Sequence, residues 1–170
     1  MNVILYMAMT LNGFIARTNG ETDFVSEEEW KLYSEMVKKA GNIVIGRKTY
    51  DVMLENKEFE KLGNPRVVVI THDYLEDYGK VMFSTGPVSK IISFLERENF
   101  KQIIVAGGSQ LNASFLKENL VDEIYIDVEP KIIGEGISIF SKEEIDLDLE
   151  LIDINQFSDT EIQLHYKVKK

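Results

Sequence analysis

The chain contains no cysteine and only two histidines, His72 and His165. The missing thiol excludes disulfides, thiolate nucleophiles and thiolate metal sites. Two histidines so far apart in sequence also argue against a histidine metal cluster or a Ser-His hydrolytic centre. Positive charge is scarce as well: 19 Lys and Arg stand against 29 Asp and Glu, a formal net charge of −10. Affinity for nucleic acid rests on cations that neutralise phosphates, so no DNA or RNA partner is expected. A small anionic ligand is still permitted, because a few cations and backbone amides create a locally positive pocket. No apolar run reaches the roughly 18 residues that would span a bilayer. The segment Met1–Ala8 lacks the basic flank and small-residue cleavage site of a signal peptide, so a cytoplasmic protein is expected. A length of 170 residues with 44% hydrophobic content suits one globular domain, expected here over residues 1–170.

What is present is an alternation of two patterns. Apolar runs at Val3–Met9, 42–46 ("NIVIG"), 66–71 ("RVVVIT") and 102–107 ("QIIVAG") are too continuous for strands buried on one face only. They predict strands of a mostly parallel sheet covered on both sides. Helical patterns lie between them. The first opens at "SEEEW", where Ser26 and Glu29 have capping-box spacing and Trp30, Tyr33, Met36 and Val37 form an apolar stripe. Others are expected at "KTYDVMLEN", after Pro87 through "VSKIISFLEREN", and from the Gly107-Gly108 pair to about Asn119. A further strand is read at 122–130, and "LELIDINQF" with "TEIQLHYKV" alternates with period two, as an antiparallel pair at a sheet edge does. The C-terminal "KVKK" reads as a solvated tail. The predicted fold is a three-layer α/β/α sandwich around a mixed, mostly parallel sheet.

Ligands of such sheets bind beyond the carboxyl ends of the strands. Three of those ends are alike: Gly46-Arg47-Lys48-Thr49, Thr71-His72 and Gly107-Gly108-Ser109-Gln110. Each has an ordinary explanation, as surface cations, a strand-end cap or a tight turn. Together they set hydroxyls, cations and free helix amides along one rim, which suits a ligand with several phosphates, such as a dinucleotide. Neither G-x-G-x-x-G nor G-x-x-x-x-G-K-[ST] occurs, so the usual Rossmann and P-loop fingerprints are absent.

Four blocks in order, "YMAMTLNGFIA" (6–16), "IVIGRKTYDVM" (43–53), "IIVAGGSQLNASFL" (103–116) and "LVDEIYIDVEPKIIGEGISIF" (120–140), resemble the dihydrofolate reductase-like superfamily. Within it the chain is most similar to the branch of the RibD C-terminal reductase domain of riboflavin biosynthesis and its small stand-alone relatives. The resemblance implies a dihydrofolate reductase-like sandwich with NADPH across the strand ends. It implies that Ala8 and Ile15 flank the nicotinamide and that Gly46, Arg47, Lys48 and Thr49 meet the phosphates. Thr71 and His72 would lie on the adenosine side, and Ala106, Gly107, Gly108, Ser109, Gln110 and Leu111 would wrap the pyrophosphate and a ribose. It further implies a cis bond between the two glycines, and a homodimer.

The chain departs from the pattern on the substrate side. Thr10-Leu11-Asn12-Gly13 stands where Ser-Leu-Asp-Gly is common, leaving Asn12 as the substrate contact. Counting back from Gly46, the substrate carboxylate position of folate reductases falls on Trp30, with Ser26 or Glu29 as the neighbours a different helix phase would select. An indole there would stack on a planar substrate and accept no proton. Asp127 is a candidate proton donor, and its place near a strand end equally suits an ordinary exposed acid. The expected activity is NADPH-dependent hydride transfer to a small unsaturated or imine-like heterocycle, and not to dihydrofolate. The alternatives are 5-amino-6-(5-phosphoribosylamino)uracil reduction in riboflavin biosynthesis and non-catalytic NADP(H) binding.

Overall fold

Nine residues of nearly unbroken apolar character, Asn2–Thr10, form the central strand β1. In the computed structural model, which describes residues 1–170, it is followed by the short strand Phe14–Ala16 (β2) and helix Glu27–Ala40 (α1). Then come Asn42–Gly46 (β3), Arg47–Glu55 (α2), the single turn Glu58–Lys61 (α3), Arg66–Ile70 (β4) and Val81–Ser84 (β5). Val88–Arg97 (α4), Gln102–Val105 (β6), Ser109–Lys117 (α5) and Glu123–Glu129 (β7) complete the alternating part. Ile137–Ser138 (β8), Leu149–Gln156 (β9) and Ile162–Val168 (β10) close the chain.

Eight of these strands form one sheet in the order β5-β4-β3-β6-β1-β7-β10-β9, and β2 pairs with β8 in a separate two-stranded ladder. The first six strands of that order run parallel, while β10 pairs antiparallel with both β7 and β9. The expected mixed sheet and C-terminal antiparallel edge pair are thus present. Not foreseen were the single turn α3, the parallel edge strand β5, whose four residues are all only half-buried, and the β2–β8 ladder.

Side-chain alternation divides the core in two. Val3 and Leu5 face a cluster closed by Ile91 and Leu95 of α4 and Phe115 of α5. Ile4 and Tyr6 face the opposite cluster, closed by Tyr33 and Val37 of α1 and Tyr50 and Met53 of α2. The sheet therefore lies between two helix layers, and burying each such large side chain contributes about 1.5–3 kcal/mol. No helix is long and apolar enough to cross a membrane.

Local signals explain how α1 begins and ends. The Ser26 hydroxyl accepts from the Glu29 amide at 2.9 Å, and Gly41 closes the helix at φ 72°, its N–H bonded to the Val37 carbonyl. Only half of the expected capping box forms, because the Ser26 amide donates instead to Glu129 Oε1 at 3.1 Å, across from β7. The C-terminal "KVKK" is likewise not a free tail: Val168 is buried, and Lys170 Nζ lies 2.6 Å from Asp122 Oδ1.

Candidate functional site

Because the inner strands run parallel, the ends of β1, β3, β4, β6 and β7 share one rim, and the residues predicted to act lie along it in two groups. The first stands over β3, β4 and β6. Helices α2 and α5 both start there on glycines, Gly46 and Gly108, with no side chain capping either one. Their first-turn amides have no acceptor inside the helix, so they are available to an anion. The two starts touch, since the Gly46 amide donates to the Gly107 carbonyl at 2.8 Å. A Cβ on Gly46 would stand 3.7 Å from the Gly108 nitrogen.

The Gly107-Gly108 peptide is cis, as the resemblance implied. Gly107 has φ +84°, a conformation that strains any side chain, and a Cβ there would come within 3.1 Å of the flexible end of Met7, at Sδ and Cε. Gly108 differs. It has φ −79°, and an added Cβ would meet only the Thr49 hydroxyl at 3.8 Å. Nothing in the fold itself demands glycine there.

The remaining predicted residues of this group sit around the two helix starts. Arg47 Nε contacts both oxygens of Asp51 at 2.9 and 3.0 Å, with its guanidinium 6.0 Å from the Phe83 ring centre. Lys48 is exposed and makes no ion pair. Thr71 is buried and its hydroxyl accepts from the Asp73 amide at 3.1 Å, a local turn, while His72 is exposed. Ala106 and Leu111 are buried, Ser109 is half-buried and Gln110 exposed. Ala8 is half-buried on β1, and Ile15 is buried within the β2–β8 ladder.

The second group, over β1, β7 and β10, is acidic. Parallel pairing sets Ala8 beside Asp127 and Thr10 beside Glu129, and antiparallel pairing sets Gln163 beside Asp127. Asp127 is not an exposed strand-end acid: it is wholly buried. Its Oδ2 accepts from the Tyr6 hydroxyl at 2.5 Å, and Gln163 Nε2 donates to that same hydroxyl at 3.1 Å. Burial, then the Asp127 charge, drives the Tyr6 hydroxyl far above its usual range, so Tyr6 stays a donor.

Helix α1 directs Glu29, not Trp30, into this cluster. Trp30 is half-buried and packs tilted against Tyr33 with ring centres 5.6 Å apart. Glu29 is 4% exposed, and its carboxyl lies against Asp127. No N–H or hydroxyl of the fold reaches Asp127 Oδ1. A protonated Glu29 would supply the missing donor. Burial first, then the charges of Asp127 and Glu129, push the Glu29 carboxyl up to about 9, and burial pushes Asp127 up to about 6.

Two more carboxylates complete the cluster. Glu129 and Glu161 are both buried and face each other at the ends of β7 and β10. Burial, with Glu161 beside it, raises Glu129 to about 7. Burial alone would raise Glu161 too, but donation from the Ser158 hydroxyl at 2.5 Å, with Ser26 and Glu129 alongside, holds it below the ordinary value. The pair therefore divides one proton unequally, with Glu129 the holder. Both line an open cavity of about 350 Å³ together with Asp23, Phe24, Ser26 and Lys131.

Asn12 lies beside this region but is spent on structure. It is exposed, and its amide donates to the Ile133 carbonyl at 2.7 Å while its Oδ1 accepts from the Thr10 hydroxyl at 2.9 Å. Glu129, Glu161, Tyr6 and Gln163 were not singled out in the sequence as site residues, and Glu29 was named there only as a neighbour that a different helix phase would select in place of Trp30. The signal for Glu29 was present: with Ser34, the positions that α1 buries are Glu29, Tyr33, Val37 and Ala40.

With the eight-stranded sheet, two helix layers and rim-facing glycines in place, the fold is that of the dihydrofolate reductases. The chain belongs to the RibD C-terminal domain family, whose profile matches residues 1–162. It is 29% identical over 169 residues to YwjB of Bacillus subtilis (strain 168), covering 96% of this chain and 95% of that one. It is 25% identical to the 2,5-diamino-6-ribosylamino-4(3H)-pyrimidinone 5′-phosphate reductase of Methanothermobacter thermautotrophicus, over 78% of this chain and 79% of that protein. A solved Shewanella sp. PV-4 structure, named for riboflavin biosynthesis, superposes with a TM-score of 0.84 at 25% identity, over 100% of both chains.

Proposed function

We propose that the chain is a cytoplasmic, NADPH-dependent reductase that transfers hydride to a small heterocycle other than dihydrofolate. The observation that carries this reading is the meeting of two glycine-capped helix starts beside β1, with a buried acid cluster on the neighbouring strands. The bare amides and the space at Gly108 fit a phosphate-bearing cofactor. When bound, the reduced nicotinamide supplies the hydride. The first-turn amides of α2 and α5, with Arg47 and Lys48, hold the phosphates; Thr71 and His72 border the adenosine; Ala8 and Ile15 bound the nicotinamide. Glu29 and Asp127 keep a proton at the substrate edge, where reduction of a C=N bond consumes one. The structure moves the inward position of α1 from Trp30 to Glu29, so the case against dihydrofolate rests on the assay below.

Membership in the RibD family supports a second reading, reduction of a phosphoribosylamino pyrimidine. Lys131 is the lining cation such a phosphate would require. Titration with NADPH and NADH, followed by a heterocycle screen read as loss of the reduced-nicotinamide absorbance, separates the readings. NADPH should bind about tenfold or more tightly than NADH through Arg47 and Lys48. Equal affinities would overturn the cofactor assignment, and dihydrofolate turnover near the ~10 s⁻¹ median of enzymes would overturn the substrate assignment. Binding without turnover of any heterocycle would leave a nucleotide-binding protein.

The reading includes a homodimer. Strand β9 is exposed along its whole length, with Leu151 50%, Ile152 50% and Ile154 54% accessible at an unpaired sheet edge. Light scattering at micromolar concentration should give twice 19.5 kDa, and a monomer mass would refute it.

A further inference from the structure

The Glu129–Glu161 pair has a feature that the hydride-transfer reading leaves unused. Glu161 is 5% exposed and its Oε2 is satisfied by Ser158, yet its Oε1 receives no hydrogen bond from any group of the protein. Beside it stand the Ser26 hydroxyl, which accepts from the Glu29 amide, and the carboxyl of Glu129, which accepts from the Ser26 amide and has no proton to give unless protonated. A buried carboxylate oxygen without a donor costs on the order of 1–3 kcal/mol, more when charged. Both side chains line the cavity at the rim, so a donor arriving from solvent would meet this oxygen.

The charges around the pair are one-sided. Asp127 stands behind Glu129 on the same face of β7, Glu29 enters from α1, and Tyr6 from β1 is a neutral donor already given to Asp127. In the loop before α1, Asp23 is engaged by Arg17 at 2.6 Å, which cancels that cation. Lys131, exposed after β7, is the one lining cation. Two buried carboxyls thus line the cavity, with Asp127 and Glu29 buried behind them, against a single solvated ammonium.

We propose that this cavity is a cation-selective subsite, in which Glu161 and Glu129 together grip an amidine-like or protonated amino face of the substrate and reject a phosphate. The proposal rests on the reading that this rim holds the substrate. It names the substrate class as a nitrogen-rich, unphosphorylated heterocycle that carries, or gains on binding, a positive charge. Two carboxylates side by side match the paired N–H donors of an amidinium, each bond being charge-assisted. The exchange is balanced in charge: the cation enters, the proton shared by the pair leaves to solvent, and the net charge of the subsite stays the same. Binding should therefore release protons near neutral pH and weaken as pH falls, because protonation of the pair competes with the cation.

Three ring-sized probes that differ in charge test the idea on the intact protein: benzamidine, benzamide and phenyl phosphate. Titration calorimetry at pH 7.5 without NADPH should show benzamidine binding at least about tenfold more tightly than benzamide, and phenyl phosphate not at all. The heat should differ between phosphate and Tris buffers in proportion to the protons released. Glu161→Gln should remove most of the preference, and Glu129→Gln should remove the proton release. Retained NADPH binding in each variant shows that the fold is intact, because the cofactor group lies over other strands. Equal binding of benzamidine and benzamide, tighter binding of phenyl phosphate, or a preference that survives in both variants would overturn the proposal. Benzamidine binding by a protein that ignores NADPH would leave the subsite standing and remove the reductase reading.

Discussion

Two regions of one sheet rim are built in different ways. Over β3, β4 and β6 the chemistry is carried by backbone: glycines at two helix starts, bare amides, and a carbonyl-to-amide contact between Gly46 and Gly107. Over β7 and β10 it is carried by side chains: four carboxyls, a tyrosine and a glutamine, assembled from four separate elements. The first region favours negative charge and the second repels it. A ligand with an anionic half and a nitrogen-rich half is oriented by that contrast alone, before any close contact forms.

The largest expected effect falls on the backbone region. Gly108→Val should fold normally, because an added Cβ meets only Thr49 Oγ1 at 3.8 Å and φ is −79°. It should nonetheless lose NADPH affinity by about 100-fold or more, close to 3 kcal/mol. Gly107→Val should lose both affinity and stability, since its φ of +84° strains any side chain and its Cβ would press on the end of Met7. Circular dichroism and calorimetry distinguish the two. A folded Gly108→Val protein with normal affinity would reduce the pair to a turn.

Next in size is Arg47→Ala, which should weaken NADPH about tenfold while leaving NADH almost unchanged. An equal loss for both cofactors would shift the guanidinium's role to helix support through Asp51.

The smallest effect probes the side-chain region through pH. The Glu29 carboxyl rises in the fold from 4.5 to about 9. A raised carboxyl contributes stability that is complete below its unfolded value and lost as pH climbs through the folded one. Wild-type stability should therefore decline between about pH 4.5 and pH 9. Glu29→Gln should flatten the upper part of that decline. The lower part, between 3.8 and about 7, belongs to Asp127 and Glu129 and should persist. A relief of on the order of 1 kcal/mol at high pH corresponds to about 2–4 °C in Tm. Identical melting profiles for the two proteins would place Glu29 outside the cluster.

The same contrast explains what was legible in the sequence. Glycine, cation and hydroxyl residues that directly follow apolar runs are local signals, so Gly46 to Thr49 and Ala106 to Leu111 could be placed on the rim from order alone. The acid cluster depends on a helix phase and two strand registers. Trp30 and Glu29 differ by one residue, and only the burial of Tyr33, Val37 and Ala40 selects Glu29 as the inward acid. Glu161 reaches Glu129 through antiparallel pairing of strands more than thirty residues apart, which no spacing rule reports. Strand β5 escaped notice because "VMFS" lies half-buried at an edge and offers neither alternation nor a long apolar run.

Strand β1 belongs to both regions at once. Met7 points to the glycine side, within reach of Gly107, while Tyr6 points to the acid side and donates to Asp127. Neighbouring residues on one strand thus answer to separate chemistries without touching each other's partners. A substitution on one face of β1 can therefore change one set of partners while the other set stays in place.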